Sequence, residues 1–124
     1  MSDKNDGAIS NAKAWYGDIA RWHELTHDAY EAAEKFMSEE MSEPLSLQVR
    51  SGWQNIGDTL EPGEFEILLS TGGPALRIVG NLDEHREPTE ARMQWQDWGT
   101  PWTTYHQADE DTLLAYAQNF YWGG

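Results

Sequence analysis

The chain has 124 residues, with 22 Asp and Glu against 8 Lys and Arg, giving a formal net charge of −14. That balance disfavours direct binding to DNA, RNA or anionic membranes and attracts basic surfaces, and the lack of any cysteine excludes disulfide and thiolate chemistry. Seven Trp, five Tyr and three Phe separate it from acidic disordered tails, which have few large apolar side chains to bury.

The length fits one domain over residues 1–124 that needs no metal or disulfide staple. Residues Met1–Gly7 are polar and do not read as a secretory leader. No stretch approaches the roughly 20 apolar residues of a membrane span. The expectation is a soluble protein of the cytoplasm.

Residues 1–9 are expected to be flexible. From 10 to 41, Trp15, Ile19, Trp22, Thr26, Ala29, Ala33 and Phe36 recur at steps of three and four, which predicts a helix with one buried face. Pro44 ends it, because the residue before proline is pushed out of the α region. A sheet follows over 45–105. Leu45, Leu47, Val49 and Trp53 alternate with polar residues, a period-2 pattern that predicts a strand with one buried face. Phe65, Ile67 and Leu69 alternate likewise, and Ala75–Leu82 and Ala91–Trp98 make two more runs, with a short fifth piece at Trp102–Tyr105. Thr71-Gly-Gly-Pro74 predicts a hairpin, and the short connections favour an antiparallel meander. Asp109-Glu-Asp111 opens a closing helix over 109–121, its acids complementing the helix dipole. The fold class is α+β: an N-terminal helix, a four- to five-stranded antiparallel sheet and a C-terminal helix in two layers.

His23-Glu-Leu-Thr-His27 matches the H-E-x-x-H pattern, in which two imidazoles one turn apart hold zinc and the Glu acts as general base. Three features argue against a catalytic site. At about 100° per residue, His23 lies about 90° and His27 about 130° from the centre of the apolar stripe, with Glu24 nearly opposite the core. No strand precedes the motif to align a substrate. A third ligand from Glu31 or Glu34 would give a surface chelate. His23 and His27 are therefore metal ligands only if any metal is bound, no catalytic residue or cofactor is assigned, and the expectation is a protein that is not an enzyme. His85 and His106 read as surface histidines, and Gly72-Gly73 as a turn rather than a phosphate loop, since no Lys-Ser/Thr follows.

The acids are unevenly spread. Residues 1–44 carry ten acids and four bases, 83–90 four acids and one base, and 108–124 three acids and no base. Glu24, Asp28, Glu31 and Glu34 fall away from the apolar stripe, and Asp83, Glu84 and Glu87 lie in one turn. A solvated face explains any one of them. Together, with few interspersed bases, they form a candidate partner-binding surface. Trp95 shares strand parity with Met93 and is assigned to the core. Trp98 and Trp102 flank Gly99 and Pro101, either to anchor the turn or as a partner hot spot. Exposed Trp98, Trp102 or Trp122 would also serve a homodimer.

Leu45-Ser-Leu-Gln-Val-Arg-Ser-Gly-Trp53, Glu64–Gly80, Gln96-Asp-Trp-Gly-Thr-Pro-Trp-Thr103 and Leu114–Tyr121 together resemble a family of small acidic proteins of phages, prophages and plasmids, over about residues 45–122. The resemblance implies a mobile-element setting, in which small acidic proteins block host defence as anti-CRISPR or anti-restriction inhibitors. The leading expectation is a binding protein whose carboxylates mimic phosphate and occupy the basic groove of a host nucleic-acid-handling defence protein in the host cytoplasm. An immunity or antitoxin protein for a nuclease toxin, and a small zinc hydrolase built on His23, Glu24 and His27, are the alternatives.

Overall fold

The computed structural model describes residues 6–59, 61–72 and 74–123. Helix α1 spans Asp6–Asp28 and α2 spans Tyr30–Glu39, and only Ala29 separates them. Its backbone is extended (φ −157°, ψ 91°) and has no side-chain cap, although Ala29 N–H still reaches Leu25 C=O at 2.8 Å. The single helix expected over 10–41 is therefore two. It begins at Asp6, inside the stretch expected to be flexible, and residues 1–5 lie outside the described residues. A straight helix would keep Ala29 on the buried stripe. The break leaves Ala29 exposed and lets buried Trp22 of α1 and Ala33 of α2 line one cavity wall.

Strands β1 (Ser46–Ser51), β2 (Pro62–Ser70), β3 (Ala75–Asn81), β4 (Arg92–Gln96) and β5 (Thr103–Thr104) form one antiparallel sheet in the order β1-β2-β3-β4-β5, the expected meander. Helix α3 (Glu110–Gln118) completes an α+β fold with three helices and a five-stranded sheet. Alternation puts Phe65, Ile67, Leu69, Leu76, Ile78, Met93 and Trp95 on the inner face, all buried. Against them pack Ile19, Trp22, Leu113, Tyr116 and Ala117.

The strand expected over Leu45–Trp53 forms, but its apolar face is not buried. Leu47 pairs with Ile67 and Val49 with Phe65, so both point to the inner side, yet they are 41 % and 44 % exposed. Helix α1 packs on β3 and β4 and α3 on β4, whereas beside Leu47 of β1 the helices leave an open pocket. Trp53, expected on the same buried face, is wholly exposed.

Gly80 is required by a close approach: a Cβ there would run into the Glu90 carbonyl and the Phe65 ring. Helix α3 opens on an Asp109 cap, whose Oδ2 accepts from Thr112 N–H (3.0 Å) and Thr112 Oγ1 (2.9 Å). It ends at Gln118, short of the expected 121, where Trp122 folds back and its indole N–H donates to Ala117 C=O at 2.9 Å. Ala117 C=O also accepts from Phe120 N–H (3.3 Å), and the indole bond seats the Trp122 ring 5.0 Å from Phe65. Trp122 is thus a core residue and unavailable to a homodimer surface.

Candidate functional site

Near the end of α1, His23 and His27 turn their Nε2 atoms to within 3.3 Å of each other, with ring centroids 4.8 Å apart. His23 is half-buried beside Trp22 and His27 is exposed. The spacing is that of two ligands on a helix surface. Glu24 points into solvent and pairs loosely with Arg21 at 3.7 Å. Among the described residues no group of three His, Cys, Asp or Glu stands together as a metal-ligand set. The pair has the geometry of an imidazole–imidazole hydrogen bond, or of two ligands to a surface ion, and Glu24 is directed away from it.

The charge has a clearer organisation. The five strands hold Glu64 and Glu66 against Arg50, Arg77 and Arg92, so all of the excess negative charge lies off the sheet. On the outer sheet face these charges pair with one another or with close neighbours. Arg50 donates to Glu64 (2.6 Å), Arg77 to Glu66 and to Gln94 Oε1 (2.9 Å each), and Arg92 to Glu90 (3.4 Å). From Asp18 to Glu43, in contrast, Asp18, Glu24, Asp28, Glu31, Glu34, Glu39, Glu40 and Glu43 are all exposed, against only Arg21 and Lys35. Four of these, Glu24, Asp28, Glu31 and Glu34, are the carboxylates read from the helix pattern, and they flank the break at Ala29.

The turn after β3 divides into two kinds of acid. Asp83 Oδ1 accepts from Glu87 N–H (2.9 Å) and His85 N–H (2.8 Å). The Glu87 bond most of all holds its carboxyl below the ordinary 3.8; burial opposes it, and the His85 bond adds a smaller lowering. These bonds also hold Arg86 in the left-handed region (φ 62°). Asp83 therefore builds the turn, while Glu84 and Glu87 are exposed. The turn lies beside the last turn of α3, where Gln118 Nε2 donates to Pro88 C=O at 3.1 Å, and the acids Asp109–Asp111 begin that helix at its other end. Among the described residues no bond joins the turn to the α1–α2 carboxylates.

The two tryptophans also part company. The turn at Asp97–Thr100 closes through its own polar groups: Thr100 N–H donates to Asp97 C=O (3.0 Å), and Asp97 N–H donates to Thr100 Oγ1 (2.9 Å). Trp98 is not needed to anchor it and stands 81 % exposed. Trp102 is half-buried, with the Arg77 guanidinium carbon 4.1 Å from its ring centroid, a cation–π contact on the outer sheet face.

Sequence reasoning missed an open apolar pocket of about 600 Å³ between α2, α3 and β1. Tyr30, Met37, Met41, Leu47, Tyr116 and Phe120 line it, with Glu34 and Glu43 at its rim. The signal was present in Met37, Met41 and Tyr30, but these read as helix face until the break at Ala29 is known. Burial pushes the Tyr116 hydroxyl well above its ordinary ionisation range, as desolvation disfavours the phenolate.

No family model, curated protein or solved structure matches the chain. Among the described residues no helix is long and apolar enough to cross a membrane.

Proposed function

We propose that this chain is a binding protein without chemistry of its own, a counter-defence inhibitor of a phage or mobile element. It occupies a basic nucleic-acid-binding surface on a host protein in the cytoplasm. The observation that carries the reading is charge segregation. The sheet balances its own charges, while the exposed carboxylates of α1, α2 and the segment to Glu43 far outnumber their bases. Interspersed opposite charges are the usual way to keep a surface neutral in effect. Their scarcity here leaves a field that steers a cationic groove towards the helices. The setting is the one that the sequence resemblance of residues 45–122 implies.

In this mechanism the carboxylates stand where phosphates would, so the inhibitor and the nucleic acid compete for one groove. Asp28 and Glu31 on the helices, with Glu84 and Glu87 on the turn, supply the charge. Exposed Trp98 is the apolar anchor. Association is fast and weakens as salt screens it.

The test is capture of a host nucleic-acid-binding protein at low salt, followed by displacement of a fluorescent oligonucleotide from the purified target. Wild-type chain should release the oligonucleotide, and Asp28→Lys with Glu31→Lys should slow association by about tenfold or more in low salt while the fold persists. If the target keeps its oligonucleotide with the chain bound, or the doubly reversed variant associates at the wild-type rate, the phosphate-mimic reading is wrong.

A further inference from the structure

The sheet has two edges. One is β5, only two residues long; the other is β1, six residues long and hydrogen-bonded on one side only. Which backbone groups face that open side follows from the register. Leu82 N–H donates to Gly63 C=O at 2.9 Å, which turns the odd-numbered residues of β2 towards β3. The even residues of β2 then face β1, where Glu66 pairs with Gln48 and Glu64 with Arg50. Leu47 and Val49 are therefore left with N–H and C=O pointing away from the sheet. An edge of this kind is a template for another strand, and natural proteins usually blunt it with charge, proline or a covering loop.

Those devices are sparse here: β1 has no proline, one charge, Arg50, and one register shift, between Arg50 and Ser51 at its end. Among the described residues nine large apolar side chains are exposed, and five of them (Leu45, Leu47, Val49, Trp53 and Ile56) fall within residues 44–57. That same segment contains no Asp or Glu and one base, Arg50, in a chain of net charge −14. Trp53 and Ile56 are fully exposed.

We infer that β1 is the interface of a two-fold homodimer, in which the strands of two copies pair antiparallel about Gln48 or Val49 and the sheets join into one of ten strands. Charge selects the occupant. Two copies repel each other wherever their helices or acidic turns meet. Segment 44–57 lets them approach with no carboxylate facing carboxylate. The pattern is also self-complementary. An antiparallel pairing that keeps both helix layers on one side sets odd residues opposite odd ones, so Leu47 and Val49 of one copy meet the same apolar pair, or Ser51, of the other. The outward N–H and C=O groups of each are satisfied in the same step. In this arrangement Trp53 of the second copy comes opposite residues 43–45, at the rim of the apolar pocket that Pro44 and Leu47 line. A fully exposed Trp offers about 150–250 Å² to bury. With four aliphatic side chains and a strand edge beside it, the patch reaches the scale of the roughly 800 Å² per partner of stable interfaces. Asp28, Glu31 and the Asp83–Glu87 turn remain outside it, so the dimer would present its acidic surfaces twice.

The inference does not rest on the proposed function, and salt separates the two. Phosphate mimicry weakens with salt. A dimer between two strongly anionic chains tightens, because screening relieves their repulsion. Sedimentation equilibrium of the full chain should show a monomer–dimer equilibrium that shifts towards dimer in about 0.5 M NaCl, where the Debye length is a few ångströms. Val49→Pro removes an outward N–H and leaves the β1–β2 ladder intact, and Trp53→Ser removes the largest exposed side chain. Each should raise the dimer dissociation constant by about tenfold or more, with an unchanged circular dichroism spectrum. Trp98→Ser, which also removes an exposed ring (81 %) but lies outside segment 44–57, should leave it unchanged. A chain that stays monomeric at high protein and high salt overturns the inference, as does a dimer that Trp53→Ser and Val49→Pro leave intact or that Trp98→Ser abolishes.

Discussion

Leu76 and Ile78 in β3 and Leu47 and Val49 in β1 lie on the same inner face of one sheet, and both pairs alternate with polar residues. The β3 pair is fully buried, between two neighbouring strands and under α1, while the β1 pair stands 41 % and 44 % exposed with a strand on one side only. Alternation therefore states which side of a strand is apolar. Whether that side is buried depends on what the rest of the chain places over it. In β3 the answer is this chain's own helices; in β1 it is left to another molecule.

The comparison breaks most directly under truncation. Ile78→Ala should lower stability by about 2–5 kcal/mol, the cost of a cavity among fully packed side chains. Val49→Ala, measured dilute so that self-association does not enter, should change it by about 0.5 kcal/mol or less. Urea unfolding of both variants checks this, and equal losses would mean that β1 is covered as well as β3.

A milder version sets two arginines on the outer sheet face against each other. Arg77 donates to Glu66 and Gln94 and covers Trp102, with both members of its ion pair about three-quarters buried. Arg50 makes a shorter bond to Glu64, but its own side chain is 77 % exposed. Distance alone ranks Arg50 first. Burial reverses the order, because an exposed pair gains about 0–1 kcal/mol at most. Losing Arg77 strands two part-buried acceptors at about 1–3 kcal/mol. Thermal unfolding of Arg77→Ala and Arg50→Ala should rank them that way.

Much of the fold was legible because its signals are local. The acids Asp109-Glu-Asp111, which complement the helix dipole, marked the start of α3, and Phe65-x-Ile67-x-Leu69 marked the inner face of β2. The break at Ala29 was not legible: Asp28-Ala29-Tyr30 holds neither Pro nor Gly, and Ala is the best helix former. Tertiary packing overrides that preference by drawing Trp22 and Ala33 to one cavity. Trp122 misled in the opposite sense, since a ring beside terminal glycines reads as exposed until a nonlocal contact, here Phe65, is known. For the candidate site, the sequence found the carboxylates but could not divide them by role. Only the structure separates Asp83, bound by its own turn, from Glu84 and Glu87.

That division gives the smallest effect and the sharpest sign. Asp83 is held below 3.8 by the N–H groups of Glu87 and His85, so its contribution exists only while the carboxylate is ionised. It is present at pH values above 3.8, where the unfolded chain has also lost its proton, and disappears as pH falls through the lower folded value. Asp83→Asn should therefore be less stable than wild type near neutrality, and the gap should close as pH drops from about 5 to about 2. Glu84→Gln, one residue away and outside these backbone bonds, is the control for loss of an exposed carboxylate. Urea midpoints of the three proteins across that range decide between a turn-building and a purely surface role for Asp83. A gap that persists at the acid end assigns the loss to the shape of the side chain instead of its charge.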